Sequence, residues 1–432
     1  VEFTHRFNQL VRHFQADMLF QNSVYLMLST LVQAGFGFVF WLLNARLFAP
    51  EQIGLASALI SASTFIAYFS LLGFNSTFIR FLPTSKERNA NINTGLVLVL
   101  GTSALMAGAY VLLVPGLAPK LNFVNHNLLL AVAFVVLSAF AATNLLTDSV
   151  FIAYRSSRYN LLVYTVQSFV KLVLPVALVA AGAFGIFAAT GIAAGVALAL
   201  SLYFMAKRFD YQPEAEVNSG VVKKVWQFSS GSYVANMLNI LPTLVLPLII
   251  VDKLGPAQAG YFYLAFMLAN LLYAVSYSVS QALFAEGSYG EVAFKRLLAR
   301  GAGLLAAIMV PVGVVMAVAG PYVLSIFGKS YSADASQVLV VLALAAPAVA
   351  AYVLGCVLLR ITKQIVALVM VNLVYAVSVC GLALAWSGRG LTWVAGAWLA
   401  GNMITAFLSF ALVRYRGAES REPAVAAATG KS

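Results

Sequence analysis

Charge is what this chain has least of: Asp, Glu, Lys and Arg make up 9% of its 432 residues, where about 25% is usual for a soluble domain. So few charges cannot cover a water-facing surface, which excludes a soluble globular protein of this length. Histidine is nearly absent, and His5, His13 and His126 all fall outside the apolar segments. That excludes an intramembrane His metal site and a His proton relay. The two cysteines, Cys356 and Cys380, lie toward opposite ends of successive apolar segments, about 20 Å apart at about 1.5 Å per residue, too far for a disulfide. No nucleophile–base pair, no carboxylate pair in a cleft and no soluble catalytic domain is present, so the chain does not read as an enzyme and needs no metal or organic cofactor. The ending Gly430-Lys431-Ser432 imitates a P-loop, but Val425 stands where its first Gly belongs, so ATP binding is dismissed. A net charge of +12 comes with no basic run long enough to track a phosphate backbone, which excludes nucleic acid as a partner.

What the chain has is apolar length. Hydrophobic residues are 62% of it, the mean hydropathy is +0.91, and runs of eighteen or more apolar residues alternate with short polar breaks, the pattern of spanning helices. Spans are predicted near 22–43, 53–79, 92–114, 128–152, 162–181, 186–206, 229–251, 258–285, 296–317, 334–358, 365–385 and 392–413. The first follows twenty mostly polar residues and is expected to stay as a transmembrane helix. Counted alternately in the breaks, the 26 Lys and Arg split 20 to 5, with Lys171 left inside a span. Both termini are therefore expected to be cytoplasmic by the positive-inside rule. Phe3, Phe7, Leu10 and Phe14 at helical spacing make residues 1–21 an interfacial amphipathic helix. A similar piece, Val221 to Trp226, sits in the polar linker 207–228, which separates six-helix bundles at 22–206 and 229–413; residues 414–432 read as a disordered cytoplasmic tail.

An offset of 206 residues lays Pro50, Gln52 and Gly54 on Pro256, Gln258 and Gly260. The same offset superposes polar stripes: Asn22, Ser29, Gln33 and Asn44 in the first span against Ser229, Ser232, Asn236, Asn239 and Thr243 in the seventh. The second span carries Ser57, Ser61, Thr64, Tyr68 and Asn75 and the eighth Tyr263, Met267, Asn270, Tyr277 and Gln281, with Ser57 falling on Tyr263, Thr64 on Asn270 and Asn75 on Gln281. An even number of spans per offset makes the halves parallel repeats. Singly, such residues are glue between helices; as stripes, with Gln33, Asn75, Asn239, Asn270 and Gln281 among them, they are expected to line a substrate path between the halves. Charges inside the bilayer cost about 2.5–3.5 kcal/mol each, and only Asp148 and Lys171 qualify. Asn144 and Asp148 share a face of the fourth span, Tyr164, Gln167 and Lys171 one of the fifth. Asp148 and Lys171 read either as a buried ion pair or as parts of a transport path. Pro175, Pro242, Pro247, Pro311 and Pro347 predict kinks, and Gly191 with Gly195 predicts close helix packing.

Asn22-Ser23-Val24-Tyr25, then Gly35, Phe38 and Trp41, then Ala45-Arg46-Leu47-Phe48-Ala49-Pro50-Glu51-Gln52-Ile53-Gly54-Leu55-Ala56, then Gly73 and Arg80, resemble the opening of bacterial polysaccharide (O-antigen type, Wzx-like) flippases of the multidrug/oligosaccharidyl-lipid/polysaccharide exporter superfamily. The resemblance implies an all-α polytopic membrane protein of the bacterial cytoplasmic membrane. Its 12 transmembrane helices would form two parallel-repeat six-helix bundles in a MATE-like V. It implies translocation of undecaprenyl-pyrophosphate-linked oligosaccharide from the cytoplasmic to the outer leaflet by alternating access, with membrane lipids, a polysaccharide polymerase and glycosyltransferases as partners. In such flippases cavity cations meet the pyrophosphate and sugars, a role that Arg80, Lys171 and Arg46 match by type and depth. Lipid II flippases carry two further C-terminal helices and basic residues within the first span, which this chain lacks. Cation-coupled multidrug exporters of the same fold usually place a carboxylate in the first or seventh span; here both lack one, and Asp148 is the remaining intramembrane acid for proton or sodium coupling. Such an exporter of small amphipathic compounds is the second expectation, and a scaffold of a polymer-synthesis complex the third.

Overall fold

A backbone surrounded by hydrocarbon must bond within its own segment, which leaves the helix as the open solution for a single apolar run. The computed structural model describes residues 18–215, 217–287 and 291–419, and its long elements are all α-helices. The segment 1–17 and the tail from 420, where the amphipathic helix and the end of the disordered tail are expected, lie outside the described residues. The chain divides into two compact units, Val1–Ser230 and Gly231–Ser432.

The first unit holds α1 (Met18–Leu47), α2 (Pro50–Ser70), α3 (Phe74–Phe81), α4 (Arg88–Leu117), α5 (Leu128–Ala153), α6 (Arg158–Ala177) and α7 (Gly182–Arg208). Pro50 opens α2 at a position where its missing N–H is no loss, and Ala49 before it is extended. Asn127 caps α5 by accepting from the Leu129 amide at 2.8 Å. The second predicted span does not run unbroken to residue 79: Leu72 and Gly73 adopt left-handed φ values of 50° and 86°, and the helix restarts at Phe74. A left-handed pair cannot continue an α-helix, so Asn75 and Arg80 belong to a separate short helix. α5 packs on α4 and α7, α2 on α5 and α7, and α6 on α1 and α7. Gly191 and Gly195 make the α5–α7 approach possible, since a Cβ at either would stand 2.5 Å from Leu137 or 2.8 Å from Phe140.

The second unit takes most of α8 (Ser219–Lys253), then α9 (Pro256–Gly287), α10 (Glu291–Phe327), α11 (Lys329–Leu344), α12 (Ala346–Ile361), α13 (Ile365–Trp386) and α14 (Leu391–Glu419). Among the described residues eleven helices are long and apolar enough to cross a membrane, and α11 with α12 passes the same test as a pair bent by 42°. That bend, at Ala345 just before Pro347, is the kink expected in the tenth span. α14 runs on to Glu419, past the expected start of the tail at 414, as suits a helix end rich in Arg. Cys356 and Cys380 are both free thiols.

The repeat is visible in turn chemistry. Pro50 and Pro256 each open a helix after a short turn. Further along, α5 and α12 end alike: Arg155 and Lys363 are left-handed, and the next amide reaches back five residues, Ser156 N–H to Phe151 O and Gln364 N–H to Leu359 O. This is a Schellman-type closure in both units, 208 residues apart.

The linker is strapped to the first unit. The Tyr211 hydroxyl donates to Asn93 Oδ1 at 2.6 Å, Asn93 Nδ2 donates to Gln212 O at 3.1 Å, and the Asn218 amide donates to Thr94 Oγ1 at 2.9 Å. Phe209 stacks on Tyr154 with centroids 4.9 Å apart, and Val221 and Val225 at the start of α8 join the same apolar core as Phe151 and Tyr159. The amphipathic piece expected ahead of the seventh span is thus the first turns of α8 itself. Burial pushes the Tyr211 hydroxyl up to about 12, so the fold favours its neutral form, and the stability it contributes is lost as pH rises from about 10 to about 12. Tyr211→Phe removes a buried hydrogen bond and is expected to cost about 1 kcal/mol, read as a lower melting temperature of the purified protein with a shallower alkaline decline than wild type.

Candidate functional site

Three residues of the polar stripe bond within their own helices. Ser29 donates to Tyr25 O at 2.7 Å, Asn44 to Phe40 O at 2.6 Å and Ser57 to Gly54 O at 2.8 Å. Such back-bonding is what a membrane helix requires of a hydroxyl or amide that faces no partner. These residues hold their own helices rather than a ligand. Asn75 and Asn270 are half-buried, Gln33 is exposed on α1, and the side chain of Gln281 lies outside the described residues.

The three cations do not converge. Arg46 is exposed in the last turn of α1 and Arg80 in the last turn of α3, so the whole of α2, about 30 Å at about 1.5 Å per residue, runs between them. Arg80 lies over the ring of Phe81, 5.5 Å from its centroid. Lys171 is set deeper: its Nζ sits 4.4 Å from the centroid of Phe40, which is 1% exposed and stands edge-on to Trp41. An aromatic face offers an ammonium attraction without cancelling its charge. No described carboxylate lies within ion-pair distance of Lys171.

Asp148 is not the counter-ion that helix order suggests. It is 6% exposed on α5; one carboxylate oxygen, Oδ2, accepts from the Tyr164 hydroxyl of α6, while Oδ1 has no partner. The connection between α5 and α6 explains the mismatch. Asp148 is five residues from the end of α5 and Tyr164 six from the start of α6, so these two share a level, and Lys171 lies seven residues, about 10 Å, farther along. α6 also packs chiefly on α1 and α7, which turns Lys171 to Phe40. Asn160 donates to the backbone carbonyl of Asp148 at 3.4 Å, and the buried oxygens Asn144 Oδ1 and Asn160 Oδ1 lack donors as Asp148 Oδ1 does. The result is a buried, oxygen-rich site with acceptors to spare.

The second unit carries a related network at the repeated place. Asn239 on α8 donates to the Tyr352 hydroxyl at 2.7 Å and to Asn372 Oδ1 at 3.4 Å, Tyr352 donates to Asn372 Oδ1, and Asn372 Nδ2 donates to Leu368 O at 2.9 Å. Tyr352 stacks on Tyr375 at 4.4 Å. In the 208-residue register Asn372 takes the place of Tyr164 and Tyr352 that of Asn144. Here the Tyr352 and Asn372 oxygens each have a donor, and the groups are neutral. Sequence reasoning found Asn239 but missed Tyr352, Asn372 and Phe40; the first two carry a signal only in the 208-residue register, and Phe40 reads as one more apolar residue.

Compared with protein families, residues 43–336 match the family described as polysaccharide biosynthesis protein. No curated protein matches the chain. Among solved structures it resembles the inward-facing conformation of a multidrug resistance MATE family transporter of the MOP superfamily, with a TM-score of 0.69 and 14% identity over 93% of this chain and 99% of that one. The outward-facing conformation of a multidrug resistance MATE family transporter gives 0.60 and 14% over 92% and 95%. A MOP superfamily transporter from Pyrococcus furiosus Vc1 (DSM3638), for which a reversed polarity of the binding pocket suggests a different function, gives 0.61 and 14% over 92% and 95%. The fold is MATE-like, in a chain with eleven described helices and one bent pair long and apolar enough to cross a membrane.

Tyr164→Phe strips Asp148 of its described side-chain donor and is expected to destabilise the purified protein by about 1–3 kcal/mol. Asp148→Asn in the same background should recover part of that loss, so that thermal unfolding of the double variant falls short of the sum of the singles. Additive losses would mean that the hydroxyl and the carboxyl act separately.

Proposed function

We propose, for a chain that belongs to the polysaccharide biosynthesis protein family, that it moves an undecaprenyl-pyrophosphate-linked oligosaccharide from the cytoplasmic to the outer leaflet of a bacterial cytoplasmic membrane by alternating access, supplying cell-surface polysaccharide synthesis. In this reading the eleven helices and the bent pair are twelve spans in two six-span bundles, and both termini are cytoplasmic, as the 20 to 5 division of basic residues favours.

One observation carries the substrate class: an intramembrane ammonium, Lys171, held on an aromatic face with no described carboxylate to neutralise it. A cation kept at that depth at a cost of about 2.5–3.5 kcal/mol fits a polyanionic head group. With the termini cytoplasmic, Arg80 stands at the cytoplasmic end of its bundle and Lys171 in the outer half. The pyrophosphate is first drawn by the exposed Arg80 and later held at Lys171, while the prenyl tail stays in lipid. Gln33, Asn75 and Asn270, which keep some exposure, are the amides suited to sugar hydroxyls.

A second reading has its own observation. The unpartnered Oδ1 of buried Asp148 beside Asn144 and Asn160 oxygens is a place where a proton or a sodium ion settles, as an exporter of small amphipathic compounds driven by a cation gradient would need.

Reconstituted liposomes separate the two. Protein-dependent movement of a short-sugar prenyl-pyrophosphate lipid is expected, with no uptake of a cationic dye under imposed proton or sodium gradients. Lys171→Ala should slow lipid movement by about ten-fold or more, the worth of one charge-assisted contact, and Lys171→Arg should keep most of it. Equal rates for wild type and both variants would sink the role of Lys171. Gradient-driven dye transport abolished by Asp148→Asn, with the lipid immobile, would transfer the chain to the second reading.

A further inference from the structure

We propose that the joint on which the two units move lies inside α8, at residues 226–232, and not in the polar linker ahead of it. The inference rests on alternating access as proposed above and on no particular cargo. The chain passes from the first unit to the second once, between Ser230 and Gly231, and that crossing falls within one continuous helix, Ser219–Lys253. Polar linkers between compact units are where movement is usually taken up. Here the linker is bonded down instead. Asp210 is left-handed and ends α7, with the Phe209 and Tyr211 amides both donating to Met205 O. Asn89 Nδ2 donates to Asp210 O at 3.4 Å, and Tyr211, Gln212 and Asn218 are tied to Asn93 and Thr94. Asn218 also caps α8, its Oδ1 accepting from the Gly220 amide at 2.9 Å.

In the first two turns of α8, Val221 and Val225 are buried in the same apolar core as Phe151 and Tyr159, so the first unit carries these turns. The hold of the second unit begins at Gly231, where an added Cβ would stand 3.3 Å from Ile365 of α13. It continues with the buried Ala235 and with the bond that Arg360 of α12 donates to Asn236 at 3.1 Å. Five residues separate Val225 from Gly231, and the stretch reads Trp226-Gln227-Phe228-Ser229-Ser230-Gly231-Ser232. It ends in four consecutive weak helix formers. Gly and Ser pairs are among the few sequences at which helices kink sharply. A serine hydroxyl can also bond a carbonyl that a bend frees, which a membrane helix needs and water does not supply. Pro242 and Pro247 lie in α8 as well, but both are past the crossing, so a bend at either acts within the second unit.

Hydrogen exchange on the full chain in mild detergent tests the joint without any cargo. The amides of 228–232 are expected to exchange faster than those of 221–225 and 235–240. Ser229→Ala with Ser230→Ala should slow exchange there by about five-fold, and Gly231→Ala in addition should bring the slowing to about thirty-fold, from the summed helix propensities of the replacements. Should the triple variant aggregate, the double one serves. Transport in liposomes, of whichever of lipid or dye wild type moves, is read beside it. The stiffened variants are expected to be slower than wild type. Thr94→Cys paired with Asn218→Cys, in a background with Cys356→Ala and Cys380→Ala, locks the linker on oxidation and should leave the rate unchanged. Exchange at 228–232 no faster than in the flanking turns, full transport by the stiffened variants, or loss of transport on locking the linker overturns the proposal. A wild type that moves neither lipid nor dye counts against the proposed function, and the exchange pattern still decides the joint.

Discussion

Every polar group in the spans has to find its partner inside the chain, because the surrounding hydrocarbon supplies none. That constraint orders the whole structure. It sends Ser29, Asn44 and Ser57 back to their own helices, confines the left-handed residues at Arg155, Asp210 and Lys363 to the ends of the long helices, and ties the polar linker to Asn93 and Thr94. Against this background a polar atom without a partner is informative, since leaving one buried costs about 1–3 kcal/mol. Single atoms of this kind occur in both units, Asn44 Oδ1, Ser138 Oγ and Ser280 Oγ among them, but at Asn144, Asp148 and Asn160 three such oxygens belong to residues grouped about one carboxyl group, and the ammonium of Lys171 over Phe40 has no described carboxylate beside it. These two features lie in the first unit.

The repeat sharpens this contrast. One arrangement of helices carries two chemistries: Asn239, Tyr352 and Asn372 form a neutral network whose Tyr352 and Asn372 oxygens are closed by donors, whereas Asn144, Asp148 and Tyr164 at the corresponding place include an acid and stay open at Asp148 Oδ1 and Asn144 Oδ1. A closed network fixes a core and has no capacity for a ligand. An open one, on the same scaffold, keeps capacity at a cost in stability. The second unit therefore shows the arrangement built from neutral groups, and the first departs from it by an acid with one unpartnered oxygen. Cys356, which takes the place of Asp148 in the 208-residue register, makes the same point in a single substitution.

Much of the fold was legible because membrane helices are read from length and composition. Pro50 and Pro256 marked the second helix of each half, Pro347 the bend, Gly191 and Gly195 the tight α5–α7 approach. What escaped depends on depth and direction, which a stripe of polar letters does not carry. The stripe from Ser57 to Asn75 was broken by the left-handed Leu72 and Gly73, and the pairing of Asp148 with Lys171 failed because the connection sets Tyr164, not Lys171, level with the carboxylate. The 206-residue offset was right at the first turn of the repeat and two residues short at the second, which hid the correspondence of Tyr164 with Asn372. Phe40 carries no mark in sequence at all, since a ring that receives a cation looks like any other apolar residue.

The balance at Lys171 argues for its role more strongly than its rarity does. A buried ion pair would have neutralised it, and a methionine of similar length would have filled the space beside Phe40 without the insertion cost of about 2.5–3.5 kcal/mol. A cation–π contact of about 2 kcal/mol when desolvated offsets that cost in part and leaves the net charge in place. In the proposed function, an anion arriving at Nζ would meet a cation already held in position by Phe40, so part of the ordering that binding requires would have been met in folding. Asp148 sits about 10 Å away along the helix axis, too far to neutralise the ammonium and near enough for its charge state to be felt through a medium that screens weakly. Occupation of the acid by a proton or a cation would strengthen the attraction of Lys171 for an anion, which ties the two exceptional groups of the first unit into one electrostatic arrangement.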